Sequence, residues 1–164
     1  MKTLLIMRHA KSSWKQEGQP DHDRPLNDRG KRDAPRMGHL LAEEGILPDR
    51  ILCSSAKRAR KTAAAVAEVL KCEDRLELHD DLYSAAPALY VKLLRELPED
   101  VNTVLIVGHD PAMTEFASEL SGNFTEMPTA AIACFTIPIA YWKALSPGIK
   151  CELRGHWLPR NLQG

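Results

Sequence analysis

Thr3-Leu4-Leu5-Ile6-Met7-Arg8-His9 opens the chain with a short apolar run that turns abruptly basic. An uninterrupted run of this length suits a strand buried on both faces, the habit of parallel sheets covered by helices. Thr103 to Val107 (T-V-L-I-V) is a second such run, rich in β-branched residues, and ends in Gly108-His109-Asp110. Arg50 to Cys53 (R-I-L-C) is a shorter third and Arg75 to His79 a weaker fourth, while Ala130 to Pro138 and Lys150 to Leu153 read as later strands.

Helical patterns fill the intervals. Asn27 is placed to cap a helix over 28–44 that Gly45 stops, with Pro35 predicting a kink or a late start. Residues 57–71 are Ala-rich, with Ala59, Ala63, Val66 and Leu70 on one face. Pro87 to Leu97 turns Leu89, Leu93, Leu94 and Leu97 inward, and Asp110 caps a helix starting at Pro111 that ends at Gly122. Strands alternating with helices give an α/β fold. We expect a three-layer α/β/α sandwich whose central sheet is mostly parallel, with antiparallel edge strands from the strand-rich tail. The 164 residues form one domain spanning 1–164, long enough to bury about 70% of the unfolded chain's surface without a metal or disulfide.

Composition narrows the function. Lys and Arg number 22, as do Asp and Glu, so there is no basic excess of the kind a nucleic-acid or membrane-surface binder shows. The four cysteines (Cys53, Cys72, Cys134, Cys151) are far apart and read as free thiols. The Leu4–Met7 run is too short for a signal-peptide core and no stretch reaches membrane-span length, so a cytoplasmic protein is expected. There is no metal-binding His or Cys spacing, no P-loop and no G-x-G-x-x-G, so neither metal nor cofactor is expected.

In open α/β sheets, ligands bind beyond the C-terminal ends of the strands. The buried strands here are succeeded by Arg8-His9, by His109-Asp110, and by Ser54-Ser55 leading into Lys57-Arg58-Ala59-Arg60-Lys61. Four cations in the first turns of a helix oppose its dipole by a few tenths of a kcal/mol each, roughly. A bound anion offsets that conflict, because helix N–H groups and arginine together make a phosphate site. One arginine of the set is expected in the crevice, and Lys57, Arg60 and Lys61 in solvent. His22, His39, His79 and His156 have no comparable setting and read as surface or structural residues.

These stretches resemble the histidine phosphatase (phosphoglycerate mutase-like) superfamily. L-I-M-R-H-A is similar to its R-H-G signature, and Asp23-Arg24-Pro25-Leu26-Asn27 with Arg29-Gly30 is similar to its D-R-P-L-x-x-x-G segment. Ser54 to Thr62 (S-S-A-K-R-A-R-K-T) resembles S-x-x-x-R-A-x-x-T, and Val107 to Pro111 and Thr129 to Ala133 continue the likeness in order. The start R-H-A-K-S-S-W is similar to the SixA-type phosphohistidine phosphatase branch. The resemblance implies a metal-independent phosphatase in which His9 is a nucleophile that becomes phosphorylated, with Arg8, Arg58 and His109 around the phosphoryl oxygens. Arg24, Ser12, Ser13 and Ser84 are further candidates for contact with phosphate or substrate. Two departures stand out: the signature glycine is Ala10, which an obligatory positive φ would strain, and the leaving-group carboxylate of the L-x-E segment is replaced by Ser84 in Leu82-Tyr83-Ser84. Asp80 and Asp81 lie just before it and read as loop residues. The expected substrate is a phosphohistidine-containing protein. A small phosphorylated metabolite is the alternative, and a non-catalytic phospho-ligand binder is a second; in every case a phosphate or other oxyanion fits the pocket, and neither nucleic acid nor membrane is a partner.

Overall fold

A computed structural model describes residues 1–162. Six strands form one sheet: β1 (Lys2–Arg8), β2 (Arg50–Ser54), β3 (Leu76–His79), β4 (Thr103–Gly108), β5 (Ile132–Ile137) and β6 (Glu152–Trp157). Four helices accompany them: α1 (Asp28–Glu43), α2 (Lys57–Leu70), α3 (Pro87–Arg95) and α4 (Ala112–Ser121). The strand order is β3-β2-β4-β1-β5-β6. The first four are mutually parallel, β5 lies antiparallel to β1, and β6 lies antiparallel to β5 at the edge. The expected α/β/α sandwich is therefore the observed one, with an antiparallel addition two strands deep.

Alternation along β1 builds two cores. Leu4 and Ile6 pack with Val104 and Ile106 against α3 and α4, through Tyr90, Leu94, Met113 and Phe116. Leu5 and Met7 pack with Ile51, Cys53, Leu105 and Val107 against α1 and α2, through Met37, Leu41, Ala63 and Val66. The period-2 side-chain direction of a strand makes this division automatic, and continuous apolarity results from burial of both faces. The chain runs β1, β2, β3 in one direction with α1 and α2 on one face. It then returns to slot β4 between β2 and β1 with α3 and α4 on the other. The gap where the winding reverses lies at the C-terminal ends of β2, β4 and β1, the usual place for a ligand in such sheets.

Three helix details differ from the sequence expectation. Helix α1 starts at Asp28, with the Asn27 side chain accepting from Gly30 N–H at 2.9 Å, so Pro35 does not delay it. Packing of Ala34, Met37 and Leu41 against α2 outweighs the one backbone bond that proline removes. Leu70, Leu89, Leu93 and Leu97 are only partly buried, and Tyr90 takes the central inward place on α3. Helix α4 begins at Ala112, and Asp110 satisfies its first turn by accepting from Thr114 N–H at 3.0 Å. The four cysteines are free thiols.

Glycine at position 30 is required by close approach. A Cβ there would stand 2.1 Å from the Lys11 carbonyl oxygen, a backbone atom with nowhere to go. Gly30→Ala is expected to destabilise the fold by about 1–3 kcal/mol, the usual range for overpacking. It should also lower activity, because Lys11 lies two residues past His9. Urea unfolding and turnover measured together check this; an unchanged midpoint and unchanged activity would contradict it.

Candidate active site

Strand ends place the chemistry. His9 succeeds β1, His109 succeeds β4 and Ser54 ends β2, on three consecutive strands of the sheet. His9 N–H donates to Gly108 O at 3.0 Å, which binds the two histidine-bearing turns together. The imidazole rings of His9 and His109 sit 5.1 Å apart, tilted by 54°. Arg58, on the first turn of α2, is buried beside them, and Arg8 is the last residue of β1. Arg8, His9, Arg58 and His109 thus share one pocket.

The loop after β1 is held on three sides. Ala10 N–H donates to Thr62 Oγ1 at 2.9 Å, and Thr62 Oγ1 donates to Arg58 O at 2.7 Å. Asn27 N–H donates to Lys11 O at 3.0 Å. Ala130 N–H donates to both Arg8 O and His9 O, with Ala130 itself held at φ 64°. Ala10 is fully buried and is not among the residues with positive φ, so alanine is accommodated there without backbone strain.

Hydrogen bonding assigns the tautomer of His9. His9 Nδ1 lies 2.7 Å from the Ala10 carbonyl oxygen, which can only accept, so the proton is on Nδ1 and Nε2 carries a free lone pair. Ser54 Oγ accepts from Ala56 N–H and lies 2.8 Å from His109 Nε2. The serine hydroxyl can serve His109 Nε2 as donor or as acceptor, and the second ring nitrogen is His109 Nδ1. That nitrogen is buried with no partner among the described residues, as is Arg8 Nε.

The pocket keeps both imidazoles neutral. Burial pushes the His9 pKa down to about 3, with His109, Arg58 and Arg8 adding repulsion. Burial likewise lowers His109 to about 4, with Arg58 as the next depressing cause. A neutral His9 is what a nucleophilic role demands, because only the unprotonated nitrogen has electrons to donate.

Asp21 is the residue that sequence reasoning missed. Its carboxylate accepts from Arg58 Nη2 at 3.0 Å, from Arg24 Nη1 at 2.9 Å and from the Tyr83 hydroxyl, and its backbone oxygen accepts from Arg58 Nη1 at 2.8 Å. The Tyr83 hydrogen bond, reinforced by both arginines, holds this carboxyl well below the usual carboxylate range. His22 also differs from expectation: it is half-buried, meets Tyr83 edge-on at 5.0 Å, and its Nε2 lies 3.0 Å from Ser55 Oγ at the pocket rim. Nothing in the spacing of Asp21, His22 and Tyr83 announces them, because a turn at Asp21–Asp23 and another at Asp80–Ser84 bring them in from different segments.

The remaining candidates occupy distinct places. Arg24 is buried, bonds Ser12 Oγ and Ser13 O, stacks 3.1 Å over the Trp14 ring, and reaches the pocket through Asp21. Ser12 and Ser13 thus fix the loop that carries Arg24. Ser84 is exposed on its turn, with Asp80 and Asp81 exposed beside it, and the neighbouring Tyr83 is the one that meets His109, at 5.7 Å between ring centroids. Asp110 lies 3.7 Å from Arg8 Nη1. Among the described residues, no group of three or more His, Cys, Asp or Glu could hold a metal ion, and no helix is long and apolar enough to cross a membrane.

Comparison with known proteins identifies the family. A family model described as histidine phosphatase superfamily (branch 1) matches residues 4–86. The chain belongs to the histidine phosphatase superfamily. It is a phosphatase of that superfamily's first branch. An uncharacterised protein of Mycobacterium tuberculosis is 33% identical over 94% of this chain and 100% of its own length. Among solved structures, the protein histidine phosphatase SixA complexed with tungstate superposes with a TM-score of 0.83 at 25% identity, covering 98% of this chain and 99% of that one. A protein from Nakamurella multipartitia provisionally described as the phosphohistidine phosphatase SixA gives 0.83 at 26% identity, covering 96% of each chain.

The depressed histidines have a stability consequence. In the unfolded chain both imidazoles bind a proton below about pH 6.5, whereas in the folded protein they stay neutral until about pH 4. Their contribution is therefore complete above pH 6.5 and is lost as pH falls toward 4, at up to roughly 1.4 kcal/mol per pH unit for each ring. Urea unfolding between pH 7 and pH 4.5 should show this slope, and His109→Asn should reduce it. Imidazole NMR titration showing His9 or His109 protonated at pH 6 would refute the assignment.

Proposed function

We propose that this protein removes the phosphoryl group from phosphohistidine side chains of a partner protein, through a covalent phosphate on His9. The observation that carries the reading is the pairing of a neutral, oriented His9 with a cluster of cations whose bridging carboxylate, Asp21, is held ionised. Free Nε2 attacks phosphorus in line with the leaving nitrogen. Arg8, Arg58 and His109 surround the three oxygens, where preorganised donors count most in the transition state. Water then attacks phospho-His9 and releases inorganic phosphate, restoring the free imidazole. The charge on the phosphoryl group is neutralised by side chains, so no metal or cofactor is required.

The missing acid points to the substrate. Expelling the alkoxide of a sugar or serine phosphate without a positioned acid forfeits roughly 100- to 10,000-fold in rate. Asp21 is held ionised by Tyr83 and the arginines and so has no proton to give, and the resemblance to the family's L-x-E segment puts Ser84 in place of its carboxylate. A phosphohistidine ring protonated on its other nitrogen departs as neutral imidazole, whose conjugate acid has a reference pKa of about 6.5, so the substrate itself carries the proton that an alkoxide would need from the enzyme. The superposition with SixA proteins, one of them a protein histidine phosphatase holding tungstate, supports the same choice. A small-molecule phosphomonoesterase is the weaker reading for the same reason. A mere phospho-ligand binder would need the cations but not an oriented nucleophile.

Two measurements test this. Rapid quench with a labelled substrate should trap acid-labile, base-stable phosphate on His9, and His9→Ala should lose activity by orders of magnitude while chelators leave the wild type intact and vanadate inhibits it. Label on serine or cysteine, or loss of activity on chelation restored by a divalent ion, would overturn the mechanism.

The second concerns the leaving group. Rates on phosphate esters should fall steeply as leaving-group pKa rises, with phosphohistidine and activated aryl phosphates well ahead of alkyl esters. A flat dependence would mean that a side chain supplies the proton, and Asp80 and Asp81 would be the first to replace.

A further inference from the structure

The basic start of α2 is only half explained by the pocket. Arg58 turns inward to Asp21, but Lys57 and Lys61 do not join it. With Lys31 of α1 they border a groove of about 730 Å³ between the outer surfaces of α1 and α2. Its floor is apolar, formed by Leu26, Pro35, Ala65 and Val69 among others, and Glu68 is its one carboxylate. None of the three lysines is ion-paired among the described residues. The chain as a whole has no net charge, so three cations against one anion on an apolar floor is a local concentration.

We propose that this groove docks an acidic amphipathic helix of the phosphohistidine-bearing protein; the inference rests on the phosphohistidine reading above. Three features choose the occupant. The sign of the charge selects Asp and Glu, and their approach would relieve the conflict between the lysines and the N-terminal end of the α2 dipole. The groove is bounded by two helices whose backbone groups are already paired, so an added strand would gain no main-chain bonds, whereas apolar anchors at helical spacing fit between side-chain walls. Continuity supplies the third: Lys57 directly precedes Arg58, and Pro25 and Leu26 come directly after Arg24. The groove and the active site thus draw on the same two chain segments, 24–26 and 57–58, and we assign the seated helix to the molecule that presents its phosphorylated histidine to His9.

The test uses the full-length enzyme and a synthetic helical peptide with an apolar stripe flanked by glutamates, alongside its Glu→Gln counterpart. Fluorescence anisotropy with the unphosphorylated labelled peptides reads docking without catalysis, and chemically phosphorylated histidine versions of both read turnover. The acidic peptide should bind roughly tenfold more tightly than the neutral one at low salt, and the gap should shrink as salt rises. Lys31→Glu with Lys61→Glu should abolish the preference and raise KM for the acidic phosphopeptide about tenfold, while hydrolysis of free phosphohistidine is unchanged. Equal binding of the two peptides, an unaltered preference in the double variant, or equally good competition by an oligonucleotide would overturn the proposal. Failure to hydrolyse free phosphohistidine with docking intact would instead count against the catalytic reading.

Discussion

A single hydrogen bond, from His9 Nδ1–H to the carbonyl of the next residue, governs the layout of everything around it. It fixes which nitrogen faces the pocket, but only as long as the Ala10 carbonyl cannot move. Thr62 reaches from α2 to hold the Ala10 amide, and Asn27 holds the Lys11 carbonyl from the start of α1. Gly30 lets α1 approach that carbonyl closely enough for the arrangement to exist. Residues scattered across separate segments therefore serve one dihedral. A strand end alone would present His9 in either tautomer; the packed helices are what remove the choice.

The pocket's second constraint is charge. Two arginines and two imidazoles crowd a buried space, and the least costly response is for the imidazoles to shed their protons. Asp21 tempers the remaining positive charge and, by gripping Arg58 through both side chain and backbone, also aims it. An arginine held at two points loses little conformational freedom when an oxyanion arrives, which is how preorganisation lowers the cost of binding a transition state. Tyr83 and Arg24 stabilise Asp21 in turn, so the order of the loop around Trp14 is transmitted to Arg58 through a chain of hydrogen bonds.

Legibility tracked the physics of each signal. Buried parallel strands and strand-end residues are written locally, as continuous apolar runs ended by Arg8-His9 or Gly108-His109, so the sandwich and its reactive end could be read directly. Thr62 belonged to a recognisable motif, but its use as a tether for Ala10 depends on how α2 lies against β1, which no spacing encodes. Asp21, His22 and Tyr83 were harder still. They come from short turns whose position depends on long-range packing, and aspartate in a turn has a sufficient local explanation already. Pro35 misled in the opposite direction: its local rule is sound, but burial of the apolar face shared by α1 and α2 is worth more than the hydrogen bond that proline removes.

The same separation of local and long-range effects bears on specificity. A phosphoryl group offers nearly the same oxygens whatever it is attached to, so a pocket of arginines and histidines discriminates among substrates mainly through the leaving group. On the proposed reading that choice disfavours alkoxides, yet it cannot distinguish one phosphohistidine protein from another. Discrimination among proteins has to come from surface outside the pocket. The cations that sit against the dipole at the start of α2 are suitably placed: they cost the free enzyme a little stability and return it only when a complementary partner is present. Because such exposed charges act at a distance and weaken with salt, they would set the rate and orientation of encounter more than the strength of the final complex. On the proposed reading brief association is an advantage, since tight retention after dephosphorylation would limit turnover.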